Sequence, residues 1–283
     1  MNELKILKTV ADVRSWHALS ESPVAAVFTM GALHSGHAHL IEYAKEHTPA
    51  GTRVIASIFV NPTQFENGTD LETYPRTLDE DLELLAKAGA DAVFVPGIDV
   101  MYPAGLVVDK TIEPGLVGEI LEGKSRQGHF LGMLSVVHKL LSITTPSYTF
   151  FGEKDYQQLT LVKKMVQDLN LPIEVFGVPT VRDQDGLALS SRNRKLSQSG
   201  RVLAKNIPVA LQVVSDALSA GKSAAQAELV GRSFLSEQRE ISLDYLEVHA
   251  ENLIDETRSG KLRILIAAII DGVRIIDNVP VEI

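Results

Sequence analysis

The sequence predicts an α/β protein: a parallel sheet in the first part of the chain, then a smaller α+β domain. Three observations carry that prediction. Short apolar runs alternate with amphipathic helical stretches from residue 24 to residue 178. Polar turns, several bearing glycine, follow the apolar runs. Past residue 181 the rhythm breaks, and two helical stretches precede three strand-like runs. Strand–helix alternation implies parallel strands, because a parallel pair needs a long crossover connection.

Residues 24–28 read as a buried strand, and from Gly36 the pattern turns helical with Leu40, Ile41 and Ala44 on one face. Residues 53–60 form a second strand, stopped by Asn61-Pro62. Residues 77–88 read as a helix in which Thr77 and Glu80 make a capping box and Gly89 follows the end. A short strand over 92–95 precedes a stretch from 96 to 128 that is rich in glycine and proline and reads as loops. A helix over 130–143, a strand over 148–151, a helix over 156–169 and a strand over 173–178 complete the series.

Residues 181–199 are polar and partly basic. Helical stretches at 201–219 and 223–238 follow, then strand-like runs at 242–248, 262–270 and 273–276 that suggest antiparallel pairs. The expected division is a first domain over 1–184 and a second over 185–283. In a parallel sheet, ligands collect at the C-terminal strand ends, near a reversal of strand order.

Composition narrows the chemistry. A chain of 283 residues with 45% hydrophobic and 22% charged content is ordinary for a globular protein. A core of this size buries roughly 75% of the unfolded surface without staples. There are no cysteines, which excludes disulfides, thiolate–zinc sites and thiol nucleophiles. The net charge of −9 argues against a general nucleic-acid partner. Residues 1–8 lack a basic-then-apolar leader pattern, and the apolar run at 264–270 is too short to span a bilayer. A soluble cytoplasmic protein with no membrane partner is the expectation.

Four motifs bear chemistry. His34-Ser35-Gly36-His37 follows a strand and opens a helix, so backbone N–H groups and the helix dipole converge on one spot beside two imidazoles. Such a spot can hold a phosphate and stabilise charge developing at its phosphorus. A structural pair, or a metal site completed by His39, is the alternative, although no carboxylate or cysteine follows at ligand spacing. Gln64 sits just past the end of the second strand, where a carboxamide can both donate and accept. It can equally satisfy local backbone.

The run from Gly152 to Gln158 lies where a strand meets a helix. Lys154 offers a point charge for phosphate and Asp155 an acceptor for ribose, and Gln158 lies one helical turn beyond Lys154. Asp155 as a simple helix cap fits as well. Leu189-Ser190-Ser191-Arg192 places hydroxyls before a guanidinium, a set suited to phosphate oxygens, in what is otherwise a solvated linker.

The run from Thr29 to His37, then Asn61 to Phe65, then Tyr74-Pro75-Arg76-Thr77, resembles the pantothenate synthetase family. Gly128-His129-Phe130, Gly152 to Gln158, Gly186 to Asn193 and Ile276-Asp277-Asn278 continue the resemblance in order nearly end to end. It implies a Rossmann-like nucleotidyltransferase domain with a C-terminal lid. The implied reaction is ATP-dependent condensation of pantoate with β-alanine, through a non-covalent pantoyl adenylate, to pantothenate, AMP and pyrophosphate. That is a step of coenzyme A precursor biosynthesis.

By resemblance, Met30, Gly31, Ala32, Leu33, His34, Ser35, Gly36 and His37 line the ATP site. His34 and His37 fall on the phosphates, and His37 matches the family's acid. Gly152, Glu153, Lys154 and Asp155 complete the nucleotide site with Val181, Leu189, Ser190, Ser191 and Arg192, and Lys154 is counted with the two histidines as catalytic. Gln64 and Gln158 hold pantoate, with Gln64 also near β-alanine. Mg2+ rides on the phosphates with Glu80 or Asp81 as its nearest carboxylate, and a homodimer through the first domain is implied. The chain departs from the family pattern at Phe28, where proline is usual, and at Leu131 and Met133, which replace arginine and valine.

Other readings remain open at this point. A tRNA synthetase needs a tRNA-binding surface that an acidic chain of this length hardly supplies. A simple nucleotidyltransferase has no use for the paired glutamines. A nucleotide sensor does not require every phosphate-directed group to be retained.

Overall fold

A computed structural model describes residues 3–65, 71–255 and 259–283; Met1 and Asn2, where the leader pattern was sought, lie outside them. The chain divides into two compact units. One comprises Met1–Gly152 and Gln157–Val178, the other Glu153–Tyr156 and Pro179–Ile283. The division falls at Pro179 rather than at residue 185, and the turn 153–156 goes with the second unit.

The first unit is built on β1 (Lys5–Leu7), β2 (Val24–Thr29), β3 (Arg53–Ile58), β4 (Ala92–Phe94), β5 (Tyr148–Gly152) and β6 (Glu174–Val178). They form one sheet in the order β1-β4-β3-β2-β5-β6, with every pair parallel. β2 and β3 are buried at nearly every position, as expected of strands covered on both faces. The crossovers carry helices Ser35–Glu46 and Leu78–Ala88, which pack against each other and on the sheet. Their Ile41, Ala44, Leu85 and Ala88 pack with Ala25, Val27, Val54, Ala56 and Val93 of the sheet.

The stretch 96–128, expected as loops, holds the short helices Ile98–Met101 and Glu122–Ser125, and near the N-terminus β1 and a helix also escape the sequence reading. β1 is three residues at the sheet edge, too short and too exposed for a periodic signal. Helix Val10–Ala18 announces itself only by its cap. Thr9 Oγ1 accepts from the Asp12 amide at 3.1 Å, and the Asp12 carboxylate accepts from the Thr9 amide at 2.8 Å. N–H groups of Lys8 and Thr9 hold the Asp12 carboxyl below its usual range.

Helix Leu78–Ala88 begins without the expected capping box. Thr77 makes no side-chain cap bond and instead donates to Asp81 Oδ1 at 3.1 Å. Its C-terminus closes as expected on Gly89 at φ +89°.

In the second unit, helices Gln198–Ala204, Asn206–Ser219 and Ala224–Ser236 accompany a sheet of β7 (Ser242–Ala250), β8 (Lys261–Ile270) and β9 (Val273–Glu282). Both strand pairs are antiparallel. The expected helix 201–219 is broken at Lys205, because Pro208 has no N–H for the Ala204 carbonyl and its ring crowds that oxygen. Gly231 lets Ala224–Ser236 approach closely: a Cβ there falls 2.5 Å from Val214 Cγ2 and 2.6 Å from Leu246 Cδ2.

Candidate active site

Strand order reverses at β2, which has β3 on one side and β5 on the other. The C-terminal ends of β2 and β5 therefore flank the crevice where such folds bind ligand. β2 ends at Thr29 and β5 at Gly152.

Beyond Thr29 the backbone turns sharply, with Gly31 at φ +81° and Ala32 at φ +52°. A remote carboxylate fixes this turn. Asp81 Oδ2 accepts from the Ala32 amide at 2.9 Å and Oδ1 from the Leu33 amide at 2.8 Å. A Cβ at Gly31 meets Asp81 Oδ2 at 3.0 Å and Ile58 Cγ2 at 3.2 Å, so glycine is required on both counts.

Helix Ser35–Glu46 then starts with a capping box made of two imidazoles. His34 Nδ1 accepts from the Gly36 amide and His37 Nδ1 from the His34 amide, each at 3.2 Å. An Nδ1 that accepts carries no hydrogen, so each neutral ring bears its proton on Nε2. The rings lie 4.1 Å apart, tilted by 45°. Met30, His34, Gly36 and His37 are half-buried and Ser35 is exposed. Two Nε2–H donors stand beside a helix N-terminus, an arrangement fit for a polyanion.

Gln64 lies in the 3-10 turn Pro62–Gln64 and is buried. Its Oε1 accepts from Asn61 Nδ2 at 3.1 Å, and its Nε2 lies 2.8 Å from Met30 Sδ. Asn61 is in turn fixed by Tyr102, whose hydroxyl donates to Asn61 Oδ1 at 2.6 Å. Burial pushes the Tyr102 phenol up, so it stays a donor through the neutral range. His129 Nδ1 lies 2.8 Å from the Gln64 carbonyl, with Arg126 at 3.1 Å from its Nε2.

Helix His129–Thr144 presses Gly132 onto this turn: a Cβ at 132 falls 2.2 Å from the Thr63 carbonyl oxygen. Gly132→Ala is expected to cost about 1–3 kcal/mol of stability and to weaken use of whatever Gln64 holds. An unchanged urea midpoint would show that the helix can shift aside.

The two consecutive glutamines differ. Gln157 donates to the Val117 and Ile120 carbonyls at 2.6 and 2.8 Å and accepts from the Glu122 amide at 3.1 Å, so it anchors the preceding loop. Gln158 is half-buried, and its side chain makes no hydrogen bond among the described residues.

The second unit carries the other expected residues. Lys154 Nζ lies 3.6 Å from Asp155 Oδ2. The Glu153 carboxylate is held by Arg263 at 3.2 Å, which leaves its side chain committed within the protein. Residues 181–189, expected as loop, form a short hairpin: the Leu189 amide donates to the Val181 carbonyl at 3.0 Å, and Arg182 bridges Ala188. Ser190 caps the following 3-10 turn Ser191–Lys195, its Oγ accepting from the Arg192 amide at 3.3 Å. The Ser190 hydroxyl hydrogen remains available to an anion.

Residues 5–280 match the family model described as pantoate–β-alanine ligase. This chain belongs to that ligase family. A pantothenate synthetase from Rhodococcus jostii (strain RHA1) is 51% identical over 260 residues, 92% of this chain and 81% of that one. One from Cereibacter sphaeroides (strain ATCC 17029 / ATH 2.4.9) is 45% identical over 282 residues, 98% and 99% of the two chains. A pantothenate synthetase structure from Thermus thermophilus superposes with a TM-score of 0.90 at 40% identity, covering 99% and 100%. A Francisella tularensis pantoate–β-alanine ligase, complexed with β-γ ATP and β-alanine, gives 0.81 at 37% identity, covering 98% and 97%.

Of the two carboxylates expected near magnesium in this ligase, Asp81 is engaged by protein donors. Asp81 is 2% exposed, and both its oxygens are taken by the Ala32 and Leu33 amides and the Thr77 hydroxyl. Its work is to shape the turn before His34. Glu80 is exposed, and no group of three His, Asp or Glu fit for a metal occurs among the described residues. The sequence did not reveal the hydrogen-bonding roles of Asn61 with Tyr102, of Gln157, or of the Asp277-Asn278 pair. Asn61 carried a signal as the strand-stopping Asn-Pro, whereas Gln157 and Asp277-Asn278 stood out only as members of quoted motifs.

Proposed function

We propose that this chain joins pantoate to β-alanine at the expense of ATP, through a bound pantoyl adenylate. A pantoate carboxylate oxygen attacks the α-phosphorus, and the bond to the bridging oxygen breaks with pyrophosphate leaving. The β-alanine amine then attacks the acyl carbon, the acyl C–O bond breaks, and AMP departs with that oxygen. The resulting ammonium loses its proton to water.

The double-imidazole cap carries this reading. With both Nδ1 atoms consumed by backbone amides, His34 and His37 present Nε2–H groups as donors to phosphate oxygens where charge builds. Met30 to His37 and Gly152 to Asp155, with Val181 and Leu189 to Arg192, are assigned to the nucleotide. Lys154, Ser190, Ser191 and Arg192 fall on its phosphates, and the Glu153 side chain is excluded by its bond to Arg263. Gln64 and Gln158 are assigned to pantoate, and Gln64 also to the amine.

Absence of cysteine and of a Gly-x-Ser-x-Gly elbow leaves no ready nucleophile for an acyl-enzyme. Magnesium would come in with the triphosphate and would offset phosphate charge as pyrophosphate leaves. The chain is expected to act in the cytoplasm as a homodimer through its first unit.

Enzyme mixed with magnesium, ATP and pantoate but no β-alanine should release about one pyrophosphate per active site and retain pantoyl adenylate. Adding β-alanine should discharge it to pantothenate and AMP. Release of ADP and inorganic phosphate would mean attack at the γ-phosphorus and end this mechanism.

A further inference from the structure

In the second unit, two segments assigned to the nucleotide hang from one buried dipeptide, Asp277-Asn278 of β9. Asn278 is 3% exposed, and its carboxamide is fully used. Nδ2 donates to the Glu153 carbonyl at 2.8 Å and to the Lys154 carbonyl at 2.9 Å, while Oδ1 accepts from Arg263 at 3.1 Å. The orientation is unambiguous, because the flipped amide sets an oxygen against two carbonyl oxygens.

Arg263 secures the same turn from its other side. It pairs with the Glu153 carboxylate at 3.2 Å and stacks 3.8 Å above the Tyr156 ring. The Tyr156 hydroxyl donates to the Glu251 carbonyl at 2.7 Å. Asp277 takes Arg182 bidentately, at 2.6 and 2.9 Å, and Arg182 also reaches the Asn278 carbonyl at 3.2 Å. Arg182 belongs to the hairpin that leads into Ser190, Ser191 and Arg192.

The backbone of the 153–156 turn is thus pinned, while the Lys154 ammonium meets Asp155 only at 3.6 Å, beyond hydrogen-bond range. A fixed backbone beneath a cation that makes one long ion pair is an arrangement that preorganises a charge for an incoming anion. The geometry points to Asn278 as a positioning residue that sets Lys154 for phosphate, with Asp277 steadying the Ser190–Arg192 segment through Arg182. This inference rests on the ligase reading and on Lys154 as a phosphate ligand.

AMP formation is measured with varied ATP at saturating pantoate and β-alanine. Asn278→Ala should raise the KM for ATP about tenfold, the loss of one or two hydrogen bonds, and leave the KM for pantoate unchanged. Asn278→Asp keeps the shape and strengthens the tie to Arg263 but turns a carboxylate on two carbonyls, so it should be no better than alanine. Because the effect passes through Lys154, Asn278→Ala should add nothing in a Lys154→Ala background.

Should Asn278→Ala fail to fold, Glu153→Gln loosens the turn from a side chain that is 27% exposed, with a smaller shift and the same non-additivity. Parent-like ATP kinetics in Asn278→Ala, or a fully multiplicative double variant, would overturn the inference and leave the ligase reading standing. Normal ATP use by Lys154→Ala would remove Lys154 from the phosphates and the inference with it. A parent protein that forms no AMP would sink the ligase reading itself.

Discussion

His37→Ala is expected to slow AMP release by at least about 100-fold, because it deletes a donor aimed at charge that appears only in the transition state. The same substitution opens the helix cap, which costs about 1 kcal/mol of stability, so the two effects must be separated. His37→Gln does this. Glutamine at the third helical position can accept from the His34 amide as the imidazole does, since Gln is a normal capping-box residue. If His37 matters only as a cap, the glutamine variant regains the rate. If its Nε2–H is what counts, glutamine regains the melting temperature and not the rate. A His37→Gln enzyme with near-parent turnover would remove His37 from the chemistry.

Asp81→Asn carries the next largest expected effect. The Asp81 carboxylate accepts from two backbone amides and a hydroxyl, and an amide in its place turns an N–H toward at least one donor. Each hydrogen bond to a buried charge contributes about 1.5–3 kcal/mol, so ATP-dependent activity should fall by two orders of magnitude or more, on the order of 3–4 kcal/mol. Raising magnesium should not restore it. A titration in which tens of millimolar magnesium rescues Asp81→Asn, on the order expected of a weakened metal ligand, would return Asp81 to the metal and refute its assignment to the turn.

The first case shows what local sequence carries. The helix start at His34-Ser35-Gly36-His37 was legible because a buried strand, a glycine-bearing turn and a helical period follow one another within a few residues. The buried strands β2 and β3 were legible because a strand covered on both faces has no choice but continuous apolar residues. Asp81 was misread for the converse reason. Acidic residues in a first helical turn are commonplace, and nothing near Asp81 in sequence says that its partners are the Ala32 and Leu33 amides. Asn278 likewise bonds residues more than a hundred positions away, so its role is invisible without coordinates. The strand β1 was missed because three edge residues carry no period, whereas the Thr9–Asp12 box was a readable signal for the helix that follows.

The Asp81 tether also bears on when the site comes into being as the chain folds. The turn it holds and the carboxylate itself are separated by 48 and 49 positions, so closing that span is a non-local event that comes at an entropic cost before any bond repays it. Helix Ser35–Glu46 can form early on local capping alone, but the turn ahead of it stays unset until Leu78–Ala88 docks. During refolding, a fluorescent nucleotide should therefore report late, after helicity has returned. The ligand would act as a clock for the docking of a distant helix rather than as a template for folding.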